Sequence, residues 1–383
     1  MKTYLQQQFK TIFKHESTAV YFSPGRVNLI GEHVDYNGGF VFPCALSFGT
    51  FGALSKRDDL TVSLFSDGFS KAIYSFSLSA IKKDKNEDWA DYVKGVIDVM
   101  IKRGYKITHG FNLYIKGTMP AGAGLSSSAS LESLIVTLLD DMFALNIKVE
   151  DKALIGKETE NTFIGVSSGI MDQFAVLAGK KDHAILLNTE TLFYQYIPLI
   201  LGDYQLLVIN SNKQRGLADS KYNERFSECQ TAYALLKDRY NVANLCSIPT
   251  DHLVEIKTLL DPVLFKRVSH VITEQERTIK ATQALQQNDI LTFAHLMNGS
   301  HESLRDDYEV TGIELDTLQS LLIKHGAVGA RMTGAGFGGC CVALVPHHLV
   351  DSLKAAVIPA YKDKIGYEPS FYEVNAVDGT KEI

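Results

Sequence analysis

Cysteine is scarce: Cys44, Cys229, Cys246, Cys340 and Cys341 are the only five, and no two stand in C-x-x-C spacing. An odd, scattered set excludes a disulfide framework, and reduced thiols in the cytoplasm are the simplest account. H-E-x-x-H is missing as well, since His301-Glu302 runs into Ser-Leu-Arg, so a protein-ligated zinc site is not expected. No run of about 18 apolar residues occurs, which removes a membrane-spanning helix. The first residues, Met1-Lys-Thr-Tyr-Leu-Gln-Gln-Gln, carry no apolar signal core. Positive charge is in deficit, and the formal charge of −6 argues against a surface that coats nucleic acid, though not against a local basic pocket. The P-loop pattern G-x-x-x-x-G-K-S/T is absent too. What is present is ordinary for a soluble chain, with 45% apolar and 21% charged residues over 383 positions, enough for two or three domains.

The chain is organised around Met119-Pro-Ala-Gly-Ala-Gly-Leu-Ser-Ser-Ser-Ala-Ser130. Before it, Phe111-Asn-Leu-Tyr-Ile115 alternates as a half-buried strand does. After it, Leu131, Leu134, Ile135, Leu138, Leu139, Met142 and Phe143 form the apolar stripe of a helix. The connector is a strand-to-helix turn of small residues. Gly122 and Gly124 permit close backbone approach, and the serines stand where a helix N-cap belongs. Free N–H groups at a helix start favour an anion, although a well-capped helix after a flexible turn would look the same.

Earlier in the chain, Pro24-Gly-Arg-Val-Asn-Leu-Ile-Gly-Glu-His-Val-Asp-Tyr-Asn-Gly39 crowds an arginine, two carboxylates and a histidine into one loop. Val27, Leu29 and Ile30 pull that loop toward a core, where its polar groups need partners, and a polyhydroxyl ligand is one such partner. Phe48–Leu54 and Leu60–Phe65 read as a hairpin around Lys56-Arg-Asp-Asp59, and Trp89, the single tryptophan, stands at the entrance of a helix. Asp151–Ile164 reads as helical with Glu160 on it. Asp172 and Gln173 open a shorter helix, where an acid is stabilising whatever its function. Between about 180 and 195 the pattern changes to short strands and then long helices, at about 217–239, 251–285, 289–306 and 312–325. Gly334-Ala-Gly-Phe-Gly-Gly339 fits G-x-G-x-x-G but leads into the strand-like Cys340-Cys-Val-Ala-Leu-Val345, which a dinucleotide fold does not allow. Gly165-Val-Ser-Ser-Gly169 fits G-x-S-x-G but follows a helix, so the hydrolase elbow is missing.

Loop 24–39, the Gly-Leu-Ser-Ser-Ser-Ala-Ser turn and the glycine cluster at 331–340 resemble, in order and spacing, the three motifs of the GHMP kinases. That family takes in galactokinase, homoserine kinase, mevalonate kinase and phosphomevalonate kinase. Gly25-Arg-Val-Asn-Leu-Ile-Gly-Glu-His-x-Asp-Tyr-Asn-Gly-Gly39 is similar to the signature of its galactokinase branch. Gly169-Ile-Met-Asp-Gln-Phe174, Ser220-Lys-Tyr-Asn-Glu-Arg225 and Ser300-His-Glu-Ser-Leu-Arg-Asp-Asp-Tyr-Glu-Val310 match as well. Val34 departs from the commoner threonine and Phe226 from a frequent arginine.

The resemblance implies an α+β, two-domain GHMP-kinase fold. Residues 1–185 would form a domain like domain 2 of ribosomal protein S5, and 186–383 a ferredoxin-like domain whose last strand, about 369–383, could pack back on the first. It implies ATP-dependent phosphorylation of the anomeric hydroxyl of galactose with Mg²⁺, by a cytoplasmic monomer that binds neither nucleic acid nor membrane. A kinase for a related sugar, N-acetylgalactosamine or arabinose, and a non-catalytic galactose sensor are the alternatives. By the same resemblance Arg26 and Asp172 would flank the reacting hydroxyl, and Glu32, His33, Asp35, Gly169 and Tyr222 would bind the sugar. Gly122, Ala123, Gly124, Leu125, Ser126, Ser127 and Ser128 would hold the ATP phosphates, Trp89 and Tyr92 the adenine, and Ser128 and Glu160 the magnesium. A helix start and a nearby arginine both favour an ionised Asp172, a weak base expected to orient the hydroxyl and take its proton late. Arg26 suits either the transferring phosphoryl group or the orientation of Asp172.

Overall fold

The computed structural model describes residues 1–84, 88–120, 123–166, 168–213 and 218–383. Helix α1 (Lys2–Phe13) leads into strand β1 (Ala19–Asn28), and β2 (Phe40–Val41) and the long β3 (Pro43–Lys56) follow. Next come β4 (Thr61–Ser66), β5 (Tyr74–Ser77), helix α2 (Asp88–Lys102) and β6 (Phe111–Gly117). Helices α3 (Ser127–Phe143) and α4 (Val149–Glu158), a π-helical turn at Thr159–Ile164 and helix α5 (Met171–Ala178) complete this half. Strands β7 (His183–Asn188), β8 (Tyr194–Pro198) and β9 (Tyr204–Asn210) precede α6 (Ala218–Tyr240), α7 (Leu253–Leu259), α8 (Pro262–Gln286), α9 (Ile290–Asp306) and α10 (Gly312–Lys324). The chain then runs through β10 (Gly329–Thr333), β11 (Cys340–Pro346), α11 (Val350–Ile365), β12 (Ser370–Val374) and β13 (Lys381–Glu382).

Among the described residues the strands form three sheets, ordered β13-β1-β3-β6-β4-β5, β10-β11-β9-β12 and β2-β7-β8. The hairpin expected between residues 48 and 65 does not form, because β6 lies between β3 and β4, antiparallel to the first and parallel to the second. Nor is β6 half-buried. Phe111, Leu113 and Ile115 pack with α2 and α3, while Tyr114 packs with Leu5 and Phe9 of α1. The polar residue that suggested alternation, Asn112, is buried with its amide bonded to Arg57 and Ser55. A buried amide that is hydrogen-bonded is tolerated in a central strand.

The helix expected over 251–285 is two helices. Asp261 accepts hydrogen bonds from the Val263 and Leu264 amides and Pro262 takes the first position of α8, an N-cap with proline at N1. No described helix is long and apolar enough to cross a membrane.

Two features place the functional loops. Val27, Leu29 and Ile30 are fully buried, in one core cluster with Ala123 and Leu125 of the serine turn and Val342 of β11, so the loop is drawn inward as its composition implied. The pairing of β1 with β3 also shifts register between Pro24 and Gly25, which bends β1 just before Arg26.

Candidate active site

Three glycine-rich segments meet where β1, the start of α3 and the β10–β11 connection converge. A Cβ on Gly25 would stand 2.7 Å from the Leu125 carbonyl oxygen, so only glycine lets β1 pass this close to the turn. The Arg26 amide then donates to that same carbonyl at 3.2 Å. From the third segment, Thr333 Oγ1 exchanges hydrogen bonds with the Asn28 amide and carbonyl at 3.1 and 3.0 Å.

Arg26 is 4% exposed and points at Asp172 in the first turn of α5. Its Nε donates to Asp172 Oδ1 at 2.7 Å and its Nη2 to Oδ2 at 2.8 Å, a bidentate pair, while Nη1 donates to the Gly124 carbonyl at 2.8 Å. Of the two uses expected of Arg26, the geometry in hand is the orientation of Asp172. Ser126 supplies a further donor, Oγ to Asp172 Oδ2 at 2.5 Å. This corrects the sequence expectation for the serines: Ser126 occupies the N-cap position of α3 in a left-handed conformation (φ 65°), but its side chain makes no capping bond. The hydroxyl is turned to the aspartate instead, and the first amides of α3 keep no side-chain cap.

Ser128 Oγ donates to Glu160 Oε1 at 2.8 Å. Glu160 lies in the π-helical turn, an irregularity common at functional sites, where burial raises its carboxyl above the usual value. On the other side of Asp172 stands the loop after β1. Glu32 is buried, and its Oε2 accepts from Arg331 Nη2 at 2.9 Å. Its backbone is clamped by α8: Glu274 Oε1 accepts from the Gly31 and Glu32 amides at 2.9 and 3.2 Å, and His270 Nε2 lies 3.0 Å from the Glu32 carbonyl. Burial alone would raise the Glu274 carboxyl, but Arg277, His270 and Arg331 outweigh it and hold it at about 2.

His33 adopts φ 61°, and its Nδ1 is 2.9 Å from Tyr36 Oη, which in turn is 2.7 Å from Tyr308 Oη. Burial lowers the imidazole to about 3, so it is neutral. Its ring lies 5.7 Å from that of Tyr222. Asp35 is half-buried, and burial, with the charges of Asp172 and Glu32, lifts its carboxyl to about 7. Gly169 makes room for it: a Cβ there would stand 1.8 Å from Asp35 Oδ2.

Two adjoining cavities collect these groups. One, of about 690 Å³, is lined by Trp89 and Tyr92 of α2, by Ala123, Gly124, Leu125, Ser126, Ser127 and Ser128, and by Phe69, Met119 and Leu131. The other, of about 300 Å³, is lined by Glu32, His33, Asp35, Gly169, Tyr222, Ser128 and Glu160, and by Gly334–Gly336. Arg26 and Asp172 belong to both linings. Every expected site residue thus lies on one of two neighbouring walls, except Gly122, which falls outside the described residues.

The family models agree with this layout. The "Galactokinase galactose-binding signature" matches residues 7–56, the "GHMP kinases N terminal domain" residues 91–180 and the "GHMP kinases C terminal" model residues 281–363. Galactokinase of Clostridium acetobutylicum is 52% identical over 382 residues, covering 99% of this chain and 98% of its own. The chain belongs to the galactokinase family. Galactokinase of Enterococcus faecalis is 48% identical with full coverage of both chains. The crystal structure of Lactococcus lactis galactokinase complexed with galactose superposes with a TM-score of 0.97 at 43% identity, again over the whole of each chain. A mevalonate kinase at 18% identity and a TM-score of 0.65 shares the fold. The fold is therefore the GHMP-kinase fold, as the sequence motifs implied, and the chain is a sugar kinase that uses ATP.

Several site residues escaped the sequence reading. Arg331 is the main one. It sits inside the apolar run Gly329-Ala-Arg-Met-Thr333 and is fully buried, and a lone charge in a core strand demands a partner. The sequence carries that signal, in the single charge between Ala330 and Met332. Tyr36 and Tyr308, which brace His33, and the role of Ser126 toward Asp172 carry no local sequence signal.

Proposed function

We propose that the chain transfers the γ-phosphoryl group of ATP to the anomeric hydroxyl of galactose, giving galactose 1-phosphate and ADP. The observation that carries this reading is the wall common to the two cavities, where Arg26 and Asp172 are locked together. A phosphoryl group passing from a nucleotide in the larger cavity to a sugar in the smaller one must cross there. Phosphoryl transfer asks the protein mainly for alignment and charge stabilisation. Asp172 suits alignment. A carboxylate has about four acceptor sites; Arg26 and Ser126 occupy three, two on Oδ2 and one on Oδ1. The remaining site on Oδ1 takes the sugar hydroxyl, fixes its direction of attack and accepts its proton late, once the bond to phosphorus is forming.

The amides at the start of α3 and the hydroxyls of Ser127 and Ser128 hold the phosphates, as a helix N-terminus can without a P-loop lysine. Ser128 and Glu160 offer hard oxygen donors 2.8 Å apart on the cavity wall, a donor set that fits Mg²⁺. Bound there beside the phosphates, Mg²⁺ would offset charge on the triphosphate. Trp89 and Tyr92 bracket the adenine. Glu32, His33, Asp35 and Tyr222 present fixed polar groups to the sugar, and a site of that kind rejects analogues lacking the matching hydroxyl by about 10⁴-fold. The five cysteines are buried and none is joined to another by a disulfide, which suits a reducing cytoplasm as the site of action.

The test is ADP release with Mg·ATP against galactose, glucose, N-acetylgalactosamine and arabinose, with Asp172→Ala alongside. Turnover on galactose alone, lost in the variant, is the expected result. Turnover on another sugar instead would end the claim of specificity, and galactose binding without ADP would end the claim of catalysis.

A further inference from the structure

Arg331 comes from β10, yet its side chain ends on the loop that follows β1. It is 0% exposed and Glu32 is 2% exposed, so this ion pair is shielded from water and salt. The guanidinium donates through Nη2 to Glu32 Oε2 and through Nη1 to the Asn28 carbonyl, both at 2.9 Å, while Nε has no partner among the described residues. A fully buried guanidinium carrying an orphaned donor is a poor way to stabilise a fold. Its geometry makes sense if the carboxylate it holds has work to do. The other groups around Glu32 do not replace it. Arg26 also favours an ionised Glu32, but less than Arg331 does and with its guanidinium engaged by Asp172; Asn28 is uncharged, and Asp35 is of like charge. From α8, His270 faces the Glu32 carbonyl rather than its carboxylate, and Glu274, already bonded to Arg277 and Ser300, takes only the Glu32 amide.

We propose that Arg331 is a specificity-determining positioning residue, holding Glu32 as an oriented carboxylate that can only accept a hydrogen bond from one sugar hydroxyl. This rests on the reading of the smaller cavity as the sugar site. Burial pushes the Glu32 carboxyl up even in the intact site, and Arg331 is the largest influence opposing it, so removing the guanidinium pushes it up further. A protonated Glu32 becomes a donor as well as an acceptor and turns freely, so the site loses its demand for a hydroxyl donor at that point.

The experiment compares wild type with Arg331→Met, Arg331→Lys and Glu32→Gln, measuring kcat and KM for galactose, KM for ATP and turnover of the monodeoxygalactoses from about pH 6 to about pH 9. In Arg331→Met the KM for galactose should rise about tenfold or more at the low end and recover toward high pH, where Glu32 ionises unaided. The KM for ATP should stay within about twofold, and the penalty against one monodeoxygalactose should shrink. Glu32→Gln should show the same loss without the pH dependence, and Arg331→Lys, which keeps the charge, should recover most of it. A sugar KM in Arg331→Met that is unchanged, or raised equally at every pH, would overturn the proposal. Should Arg331→Met not fold, Arg331→Gln still decides: its KM for galactose must rise at low pH and recover at high pH with the KM for ATP unaltered. The carboxyl ¹³C titration of Glu32 in the sugar-free protein separates this proposal from the assignment of substrate. A wild-type Glu32 that titrates near neutrality refutes the role of Arg331 even if galactose is turned over. A Glu32 ionised throughout in wild type but not in Arg331→Met sustains it even if another sugar is the substrate.

Discussion

Gly169→Ala tests the sugar site with the smallest possible perturbation, one methyl group. The backbone at 169 has no left-handed conformation to lose, so the whole effect is steric. An added Cβ would lie 1.8 Å from Asp35 Oδ2 and 2.5 Å from its Cγ, where ordinary contact begins at 3.4 Å. The carboxylate must therefore retreat by about 1.6 Å or rotate away. A misplacement of about 1 Å in a positioning group costs on the order of a hundredfold, and an unmade hydrogen bond to a charged group costs about 1.5–3 kcal/mol, a similar factor. We expect kcat/KM for galactose to fall about a hundredfold while KM for ATP stays within about twofold. Asp35→Ala should show a loss of the same order, and Gly169→Ala placed on Asp35→Ala should add little, since the atoms that clash are gone. Steady-state kinetics on the four proteins of this cycle decide the matter. Full additivity, or a single variant within about threefold of wild type, would refute the claim that Gly169 exists to make room for Asp35.

Ser126→Ala removes a 2.5 Å hydrogen bond to Asp172 and should lower kcat by about tenfold to a hundredfold, with the bidentate Arg26 pair left in place. An unchanged kcat would mean that Arg26 alone orients the aspartate. Asp35 makes the folded protein sensitive to pH. Its carboxyl titrates at about 7 in the fold against 3.8 in a free chain, so the native state holds one proton more than the unfolded state between those values. Stability from this group is full below about pH 4 and is lost as pH rises through about 7. Urea midpoints of Asp35→Asn should therefore gain on wild type from about pH 4 to about pH 7 and run parallel above that. Curves parallel throughout would place the Asp35 titration elsewhere.

Much of this site was legible in the sequence because its parts are local. The loop from Pro24 to Gly39, the serine turn and the 334–339 cluster each bring several functional atoms together within one short segment. The apolar residues that anchor the first, Val27, Leu29 and Ile30, are next to the polar ones they position. What the sequence hid is non-local. Ser126 looks like a cap because caps are serines, and only the approach of α5, 46 positions on, turns its hydroxyl to Asp172. Arg331 and Glu32 are 299 positions apart, and neither residue carries the other's address. The β3–β4 hairpin failed for the same reason: local turn chemistry was consistent with it, and a third strand from further along the chain took the place between the two.

Strand β1 illustrates a further cost of distance. One of its edges pairs with β3, and the other is closed by Lys381–Glu382, with Tyr21 opposite Glu382 and Phe22 opposite Lys381. Ile383 also donates its amide to the Val20 carbonyl. During synthesis the ribosome releases β1 more than 350 residues before the segment that covers it. For that interval the nascent N-terminal half carries an open, aromatic-rich strand edge, the kind of surface that recruits other strands. Shielding of that edge by a chaperone, or slow translation that prolongs its exposure, would then change the yield of folded enzyme without changing the stability of the finished molecule.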